Sequence, residues 1–397
     1  MAMRKINILI LLYVTISSVH CRWKKRVSEV GSDLGIKVFD QIVSSKPTEN
    51  IIMSPHGIAS ILSILHLGAD GRTREQLRNA LKFNSYGAHK KLKKIQKLLT
   101  EGRNQDLVSI ANGIFVPSTF SLEKPFIWKA NDIYQAALKN VNFEDPIAAA
   151  SIINQWTKNQ TRGMITNLIS PTILNEATRL VLVNAIYFKG LWKSRFLRKS
   201  THNSDFYAAD GNVYKVPMMN QRSTFNFGMA KTPTNVKYYV LELPYHGDTI
   251  SMFIALPENI SIPLSAVTPH INSQSINNWR KIMSGKMLDI SIPRFTAETE
   301  TNMEKILAGL GITDMFEVKA NFRKIHRSGQ LYVSKVLQKA KIEVNEDGTK
   351  ASAGTAAVLM LKSLRIIPPF TVNRPFLYIV RHNITGTILF IGQVSKP

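Results

Sequence analysis

The chain has 397 residues, of which 44% are hydrophobic and 20% charged, with 51 Lys+Arg against 27 Asp+Glu. The 21 Gly and 17 Pro form no biased runs, so the composition excludes collagenous, low-complexity and disordered chains and predicts a globular protein. Because the formal net charge is +24 at pH 7, the surface should attract polyanions. Outside the cell, we expect these polyanions to be sulfated glycans rather than nucleic acid.

The N-terminus has the pattern of a secretory signal. Arg4 and Lys5 precede an apolar stretch from Ile6 to Ile16, and the chain turns strongly basic after Cys21. We therefore expect residues 1–21 to be removed, leaving residues 22–397 as one secreted domain without a membrane span. Cys21 is the only cysteine, so the core of the mature chain must hold without an internal disulfide.

Hydrophobic periodicity predicts that the first hundred residues are mostly helical. Apolar residues at helical spacing predict a helix over Val27–Val43, and a short buried strand follows at Asn50–Pro55. Two more helices are predicted over Ile58–Leu67 and Thr73–Leu81, the second with Thr73 as its candidate N-cap.

Strand patterns dominate the rest of the chain. They cover Val108–Val116, Leu180–Phe188, Tyr238–Leu243, Ile250–Leu256, Met287–Ile292, Leu331–Val344 and Phe376–Val380. Helices and strands mix without a regular βαβ alternation, which favours an α+β body with large, partly antiparallel sheets over a Rossmann fold or TIM barrel. No internal repeat or linker-like tract divides the chain, so a single domain is favoured.

Catalytic motifs are absent from the sequence. It contains neither the Gly-x-Ser-x-Gly elbow of esterases nor a Walker phosphate loop, and its nine histidines form no HExxH or other i, i+4 pair. Since a dispersed triad has no fixed spacing, these absences weaken the case for an enzyme without removing it.

A segment rich in small residues follows the predicted strand that ends at Val344. Glu346–Lys362 (EDGTKASAGTAAVLMLK) contains no proline, so every backbone N–H is available to a β-ladder. Counted by alternation from Thr349, one face carries no charge and only one large side chain, which permits insertion into a sheet as a strand. On composition alone, a flexible surface linker is an equal alternative. Beyond the segment, Lys362–Ser363 is a natural cleavage site for trypsin-like proteases, with Arg365 as a second candidate.

At these residues the sequence resembles the serpin family, and within it the nexin group. The similarity extends from about Val30 to Pro397. Its motifs are NIIMSPHGIASILSILHLGADGRTREQL (Asn50–Leu77), LVLVNAIYFKGLWKSRF (Leu180–Phe196), LELPYHGDTISMFIALP (Leu241–Pro257), LGITDMF (Leu310–Phe316), LQKAKIEVNEDGTKASAGT (Leu337–Thr355) and NRPFLYIVRHNITGTILFIGQV (Asn373–Val394). The resemblance implies an α+β serpin fold with three β-sheets, a dominant five-stranded central sheet, about eight to nine helices and an exposed reactive-centre loop at about residues 346–369.

The resemblance also implies a mechanism. A target protease attacks the carbonyl of Lys362, releases Ser363 and remains attached while a hinge enters the central sheet as a new strand. The hinge residues are Glu346, Asp347, Gly348, Thr349, Lys350, Ala351, Ser352, Ala353, Gly354 and Thr355. We therefore expect a secreted, monomeric suicide inhibitor of trypsin-like serine proteases such as trypsin, plasmin, thrombin or urokinase, not an enzyme, with no metal, nucleic acid or membrane partner. Trp192 and Ser54 match positions around the sheet opening, and simple core packing explains them equally well.

A lysine-rich helix is predicted over Ala88–Thr100. Leu92, Ile95 and Leu99 share one face of it. The lysines beyond that stripe are Lys90, Lys91, Lys93, Lys94 and Lys97. By the family resemblance, this helix binds heparin or heparan sulfate as an activating polyanion, while an ordinary solvated face is the alternative.

The sequence contains three acceptor sites for N-linked glycosylation. Asn159 and Asn259 begin Asn-x-Ser/Thr acceptors, and a third at Asn383 lies in a predicted C-terminal hairpin, where we expect it to be inaccessible.

Two alternative functions are weaker than protease inhibition. A non-inhibitory serpin acting as a matrix-binding, carrier or chaperone protein is disfavoured because the hinge composition suits insertion. A polyanion-binding hydrolase is disfavoured because no motif supports it.

Overall fold

The computed structural model describes residues 31–83, 87–100, 107–328, 330–347 and 367–397; the predicted signal at residues 1–21 lies outside these ranges. Within them lie eight α-helices: α1 (Ser32–Ser45), α2 (Pro55–Gly68), α3 (Gly71–Ala80), α4 (Ala88–Thr100), α5 (Lys124–Tyr134), α6 (Pro146–Gln160), α7 (Ser273–Ile282) and α8 (Glu304–Gly309). The strands are β1 (Ile51–Met53), β2 (Val108–Pro117), β3 (Ala137–Val141), β4 (Val181–Phe188), β5 (His202–Tyr207), β6 (Val213–Lys231), β7 (Lys237–Pro244), β8 (Ile250–Pro257), β9 (Ser284–Pro293), β10 (Phe295–Asn302), β11 (Lys335–Val344), β12 (Pro369–Thr371), β13 (Phe376–His382) and β14 (Ile388–Val394).

The central sheet has five strands in the order β10-β11-β4-β2-β3. Strands β11 and β4 run parallel, and their register pairs Lys335 with Val181 and Ile342 with Phe188. All eight residues of β4 are buried because both faces of the sheet are covered. The side chain of Leu182 belongs to the main hydrophobic core, whereas that of Val183 packs in a second core that includes Trp156 of α6. This two-sided burial explains why the sequence of β4 is mostly apolar, with Asn184 as the exception.

A second hydrogen-bonded network has nine strands in the order β1-β14-β13-β8-β7-β6-β9-β12, with β5 also pairing with β6. Strand β6 is 19 residues long and pairs with β5, then β9, then β7 along its length. It therefore belongs to two sheets, one containing β5, β9 and β12 and the other containing β7, β8, β13, β14 and β1. The expected three-sheet α+β architecture is confirmed, with two of the sheets joined through β6.

Several element boundaries differ from the sequence predictions. Helix α2 begins at Pro55, earlier than predicted, because the Ser54 hydroxyl caps it by accepting a hydrogen bond from the Gly57 N–H at 3.0 Å. The prediction of Thr73 as the cap of α3 is wrong: the helix begins at Gly71, and the Thr73 hydroxyl contacts Asp314 instead. No helix in the described part of the chain is both long and apolar enough to cross a bilayer.

Candidate functional site

The central sheet contains a buried cluster of amide side chains where β2, β4 and β11 lie side by side. Asn112, Asn184 and Gln338 occupy opposed positions on these three strands. The Asn184 Nδ2 donates to Asn112 Oδ1 at 2.9 Å, and the Gln338 Nε2 donates to Asn184 Oδ1 at 2.8 Å. The cluster therefore bridges the junction between β4 and β11 with side-chain hydrogen bonds in addition to the backbone ladder.

Ser54, the N-cap residue of α2, adds two backbone hydrogen bonds to the cluster. Its N–H donates to Gln338 Oε1 at 2.8 Å, and its carbonyl accepts from Gln338 Nε2 at 3.0 Å. A Cβ added to Gly57 would lie 2.0 Å from Asn184 Oδ1, so the first turn of α2 is in direct contact with the sheet. Because these groups are buried and satisfy one another, separating β4 from β11 has to break the cluster as a unit.

Ser54 was expected either at a sheet opening or in simple core packing, and its hydrogen bonds to Gln338 were not predicted. The available signal was Asn184 inside the otherwise apolar strand VLVNAIYF, whereas Asn112 and Gln338 lie in strands that carry other polar residues, VSIANGIFVP and KVLQKAKIEV. Which of these residues share a row depends on register between strands distant in sequence, and single-strand patterns do not contain that information.

The base of the predicted reactive loop is fixed where the chain leaves β11. The Glu346 carboxylate is buried, accepts a hydrogen bond from the Thr201 hydroxyl at 2.8 Å and lies 3.6 Å from an Nη of Arg294. Asp347 forms a 3.4 Å ion pair with Arg198. These two predicted hinge residues are thus anchored to neighbouring elements, and arginine contacts that sequence analysis did not identify hold them.

Trp192 connects this base to the core. Its Nε1 donates to the Asn345 carbonyl at 2.7 Å, and its backbone N–H donates to the Asp347 carbonyl at 3.1 Å. The indole is buried and stacks on Tyr245, with ring centroids 4.4 Å apart and planes inclined by 11°. The core-packing interpretation of Trp192 is therefore confirmed, and the same residue also contacts the segment from which the predicted loop begins.

A tyrosine crosses from β4 to β11 near the same end of the sheet. The Tyr187 hydroxyl donates to Glu343 Oε1 at 3.1 Å, and Lys189 lies 3.4 Å from the other carboxylate oxygen. Burial, together with the charge of Glu343, raises the pKa of Tyr187, so the phenol keeps its proton and remains a donor.

The remaining predicted reactive-loop residues, Gly348–Thr355, Lys362, Ser363 and Arg365, lie outside the described residues. The chain resumes at residue 367, and β12 pairs in parallel with β9 in the nine-stranded network. The two ends of the loop therefore leave from different sheets, one from the central sheet and one from the network around β6.

The lysines of α4 form a continuous surface. At about 100° per residue, Lys90, Lys93, Lys94 and Lys97 fall within an arc of about 100°. This arc lies opposite the buried Leu92, Ile95 and Leu99. Lys91 lies at the margin and is half-buried, whereas the other four lysines are exposed. The predicted amphipathic helix and its apolar stripe are confirmed.

Helix α5 supports this lysine surface. Lys93 Nζ lies 2.5 Å from Asp132 Oδ1, and the Gln96 side chain donates to Gln135 Oε1 at 3.3 Å. Because the Lys93–Asp132 pair is exposed, it contributes at most about 1 kcal/mol, and a bound polyanion can replace it.

The glycosylation acceptors differ in accessibility. Asn159 and Asn259 are exposed, and Asn259 Oδ1 accepts from the Ser261 hydroxyl at 2.7 Å. The Asn383 amide donates to the Asp248 carbonyl and to Ser251 Oγ, each at 2.8 Å, so its nitrogen is already engaged.

Comparison with known proteins gives consistent matches. The family model for serpins (serine protease inhibitors) matches residues 29–397. Glia-derived nexin from Mus musculus is 52% identical over 392 residues, covering 98% of each chain. Plasminogen activator inhibitor 1 from Neovison vison is 42% identical over 376 residues, covering 94% of this chain and 93% of the relative. A crystal structure of native protease nexin-1 with heparin matches with a TM-score of 0.89 at 50% identity, covering 94% of this chain and 100% of that one.

Proposed function

Because the chain belongs to the serpin family of serine protease inhibitors, we propose that it is a secreted suicide inhibitor of trypsin-like serine proteases. This membership confirms the family resemblance seen in the sequence and the expectation that the chain is not an enzyme. The single observation that carries the proposal is the parallel junction between β4 and β11, with the loop leaving directly from the end of β11.

The junction has the geometry to accept one more strand. A segment that leaves β11 and turns back runs antiparallel to β11, and therefore also to β4, so it can pair with both neighbours. Strand β11 has 10 residues, and a segment of that length beginning at Thr349 reaches Val358. Since Glu346 and Asp347 are anchored, insertion begins at Gly348 or later.

The covalent step precedes insertion. The hydroxyl of the protease serine attacks the carbonyl carbon of Lys362, the bond to the Ser363 nitrogen breaks, and the protease histidine gives that nitrogen its proton. Water would next hydrolyse the resulting ester. Insertion that outruns this hydrolysis carries the attached protease away from the loop's starting position and leaves the acyl bond intact. Arg365 is the second candidate for the attacked residue.

The hinge composition favours inhibition over a non-inhibitory role. In the proposed register, Thr349, Ala351, Ala353 and Thr355 share one side of the inserting strand, and none is charged or bulky. A large or charged side chain at these positions would have to be buried as the sheet closes, which would slow insertion relative to hydrolysis.

We further propose that heparin or heparan sulfate binds Lys90, Lys91, Lys93, Lys94 and Lys97 and accelerates encounter with the protease. The lysine surface of α4 supports this, as does the solved relative described as protease nexin-1 with heparin. Its attraction for a sulfated chain should weaken with salt because exposed charges are screened. We also propose secretion as a monomer with glycans at Asn159 and Asn259.

A gel experiment tests the proposed function. The protein is incubated with trypsin, plasmin, thrombin and urokinase, with and without heparin, and the expected result is an adduct that survives SDS and forms faster with heparin. Mass spectrometry of the released C-terminal peptide should begin at Ser363; a start at residue 366 would assign the reaction to Arg365. Cleavage of the loop without any adduct would refute inhibition and favour a matrix-binding, carrier or chaperone role.

A further inference from the structure

A second basic site lies between α3 and the start of α4. A cavity of about 810 Å³ is lined by His66 of α2, Arg74 and Arg78 of α3, and His89 of α4. None of these four residues belongs to the lysine surface of α4, and the sequence analysis gives none of them a binding role.

His66 is a buried polar group with one ring nitrogen unused. Only 5% of the residue is exposed. Its Nδ1 lies 3.0 Å from His89 Nε2, and His89 Nδ1 lies 2.5 Å from the Tyr134 hydroxyl. Among the described residues, His66 Nε2 has no hydrogen-bond partner. Since buried polar atoms are normally satisfied, this nitrogen needs a partner, which a water or a ligand in the cavity can supply.

The hydrogen-bond chain determines what that ligand can be. If Tyr134 donates to His89 Nδ1, then His89 Nε2–H donates to His66 Nδ1, and His66 Nε2 carries a proton. Burial raises the pKa of Tyr134, so the phenol has a proton to donate. An acceptor in the cavity selects this arrangement because it is the one that offers an N–H to the ligand.

The charges around His66 favour an anionic acceptor. The pKa of His66 is lowered to about 4, most by burial and in addition by the neighbouring His89, Arg74, Arg78 and Lys324. The two carboxylates at the cavity wall offset only part of this charge, because Arg74, Arg78 and Lys324 outnumber Asp70 and Glu75. Asp70 lies 3.1 Å from Lys324, and Glu75 lies 3.5 Å from Arg78.

We propose that this cavity binds a sulfate group through Arg74, Arg78 and the Nε2–H of His66. The sulfate is either a free ion or a substituent of the polysaccharide that the α4 lysines bind, and only the second form rests on the proposed function. Two guanidinium groups suit a tetrahedral oxyanion because their N–H donors match its oxygens and the hydrogen bonds are charge-assisted. A sulfated chain anchored here would be fixed in position relative to α4, whereas the lysines alone supply attraction without orientation.

The test follows the His66 ring by NMR in protein labelled with ¹⁵N-histidine. Sodium sulfate, or a sulfated heparin tetrasaccharide, is titrated against sodium chloride at equal ionic strength. We expect sulfate, but not chloride, to shift the His66 Nε2 resonance and raise the pKa of His66, because an added anion stabilises the protonated ring. A shift with sulfate alone assigns the cavity to the free ion, and a shift with both ligands supports the polysaccharide form. No shift with either would overturn the proposal.

Arginine variants provide the matched comparison. Replacing Arg74 and Arg78 with glutamine should weaken the sulfate response at least tenfold. Arg72→Gln removes the same kind of charge from the same helix but at a residue that contacts Asp314 and does not line the cavity, so its response should stay within twofold of the parent protein. Equal losses in Arg72→Gln and the double variant would refute the assignment. Neutralising Lys90, Lys93, Lys94 and Lys97 should leave the response to inorganic sulfate intact, which separates this site from the proposed heparin helix.

Discussion

Replacing Gln338 with leucine tests whether the buried amide cluster holds β4 and β11 together. Leucine approximates the size of glutamine but has no polar atom, so Gln338→Leu leaves the buried Ser54 N–H and Asn184 Oδ1 without their partners. The Ser54 carbonyl keeps one donor, the Ile58 N–H at 3.1 Å. At about 1–3 kcal/mol for each of these two orphaned buried groups, the native state should lose about 2–6 kcal/mol.

Because the cluster crosses the junction at which we propose that the loop inserts, this loss should also lower the barrier to opening. A reduction of about 2 kcal/mol corresponds to a rate increase of roughly 30-fold. The assay is the rate at which inhibitory activity disappears on incubation at 37 °C without protease, followed by residual adduct formation with trypsin. We expect the Gln338→Leu protein to lose activity roughly 30 times faster than the parent.

Gln393→Leu is the matched control. Gln393 is also buried and its Nε2 lies within 3.3 Å of the carbonyls of Lys46, Pro47 and Glu49, but it belongs to β14 in the other network. This variant should lower the midpoint of urea unfolding without accelerating the spontaneous loss of activity. If both variants lose activity at the same rate, the amide cluster has no special role at the junction.

Three further predictions concern the α4 surface, the hinge and the buried histidines. Neutralising Lys90, Lys93, Lys94 and Lys97 together should lower the salt needed to elute the protein from heparin, and unchanged elution would contradict the assignment of α4. Thr349→Arg should convert the inhibitor into a substrate, because the charge would have to be buried on insertion, so an adduct yield equal to the parent's would count against insertion. Burial lowers the pKa of His56 and of His382 to about 4, so the unfolded chain, with histidine pKa values near 6.5, takes up protons first as the pH falls. Stability is therefore fully present above pH 6.5 and falls towards pH 4, by about 2 kcal/mol per ring at pH 5. Urea midpoints that are equal at pH 7.5 and pH 5 would contradict this.

The features predicted correctly from sequence are those set by local periodicity. The helical spacing of Leu92, Ile95 and Leu99 predicts α4 with its observed ends, and the run of mostly apolar residues over Leu180–Phe188 predicts β4. The small-residue segment after β11 was also visible in composition, although its conformation lies outside the described residues.

The errors and omissions arise from contacts between distant parts of the chain. Thr73 has the chemistry of an N-cap, but its hydroxyl contacts Asp314 and accepts from the Asn321 N–H at 2.9 Å, both far away in sequence. The predicted strand from Leu331 begins only at Lys335, because the Val333 N–H donates to the Met315 carbonyl and not to a neighbouring strand. Local propensity cannot anticipate such tertiary partners.

Crystallography of the protein after proteolysis at Lys362–Ser363 tests the central claim most directly. The account predicts a sixth strand in the central sheet, with the segment after Gly348 hydrogen-bonded to both β4 and β11 and the present pairing of Lys335 with Val181 lost. A cleaved structure that retains the direct β4–β11 register, with the freed segment outside the sheet, would contradict it.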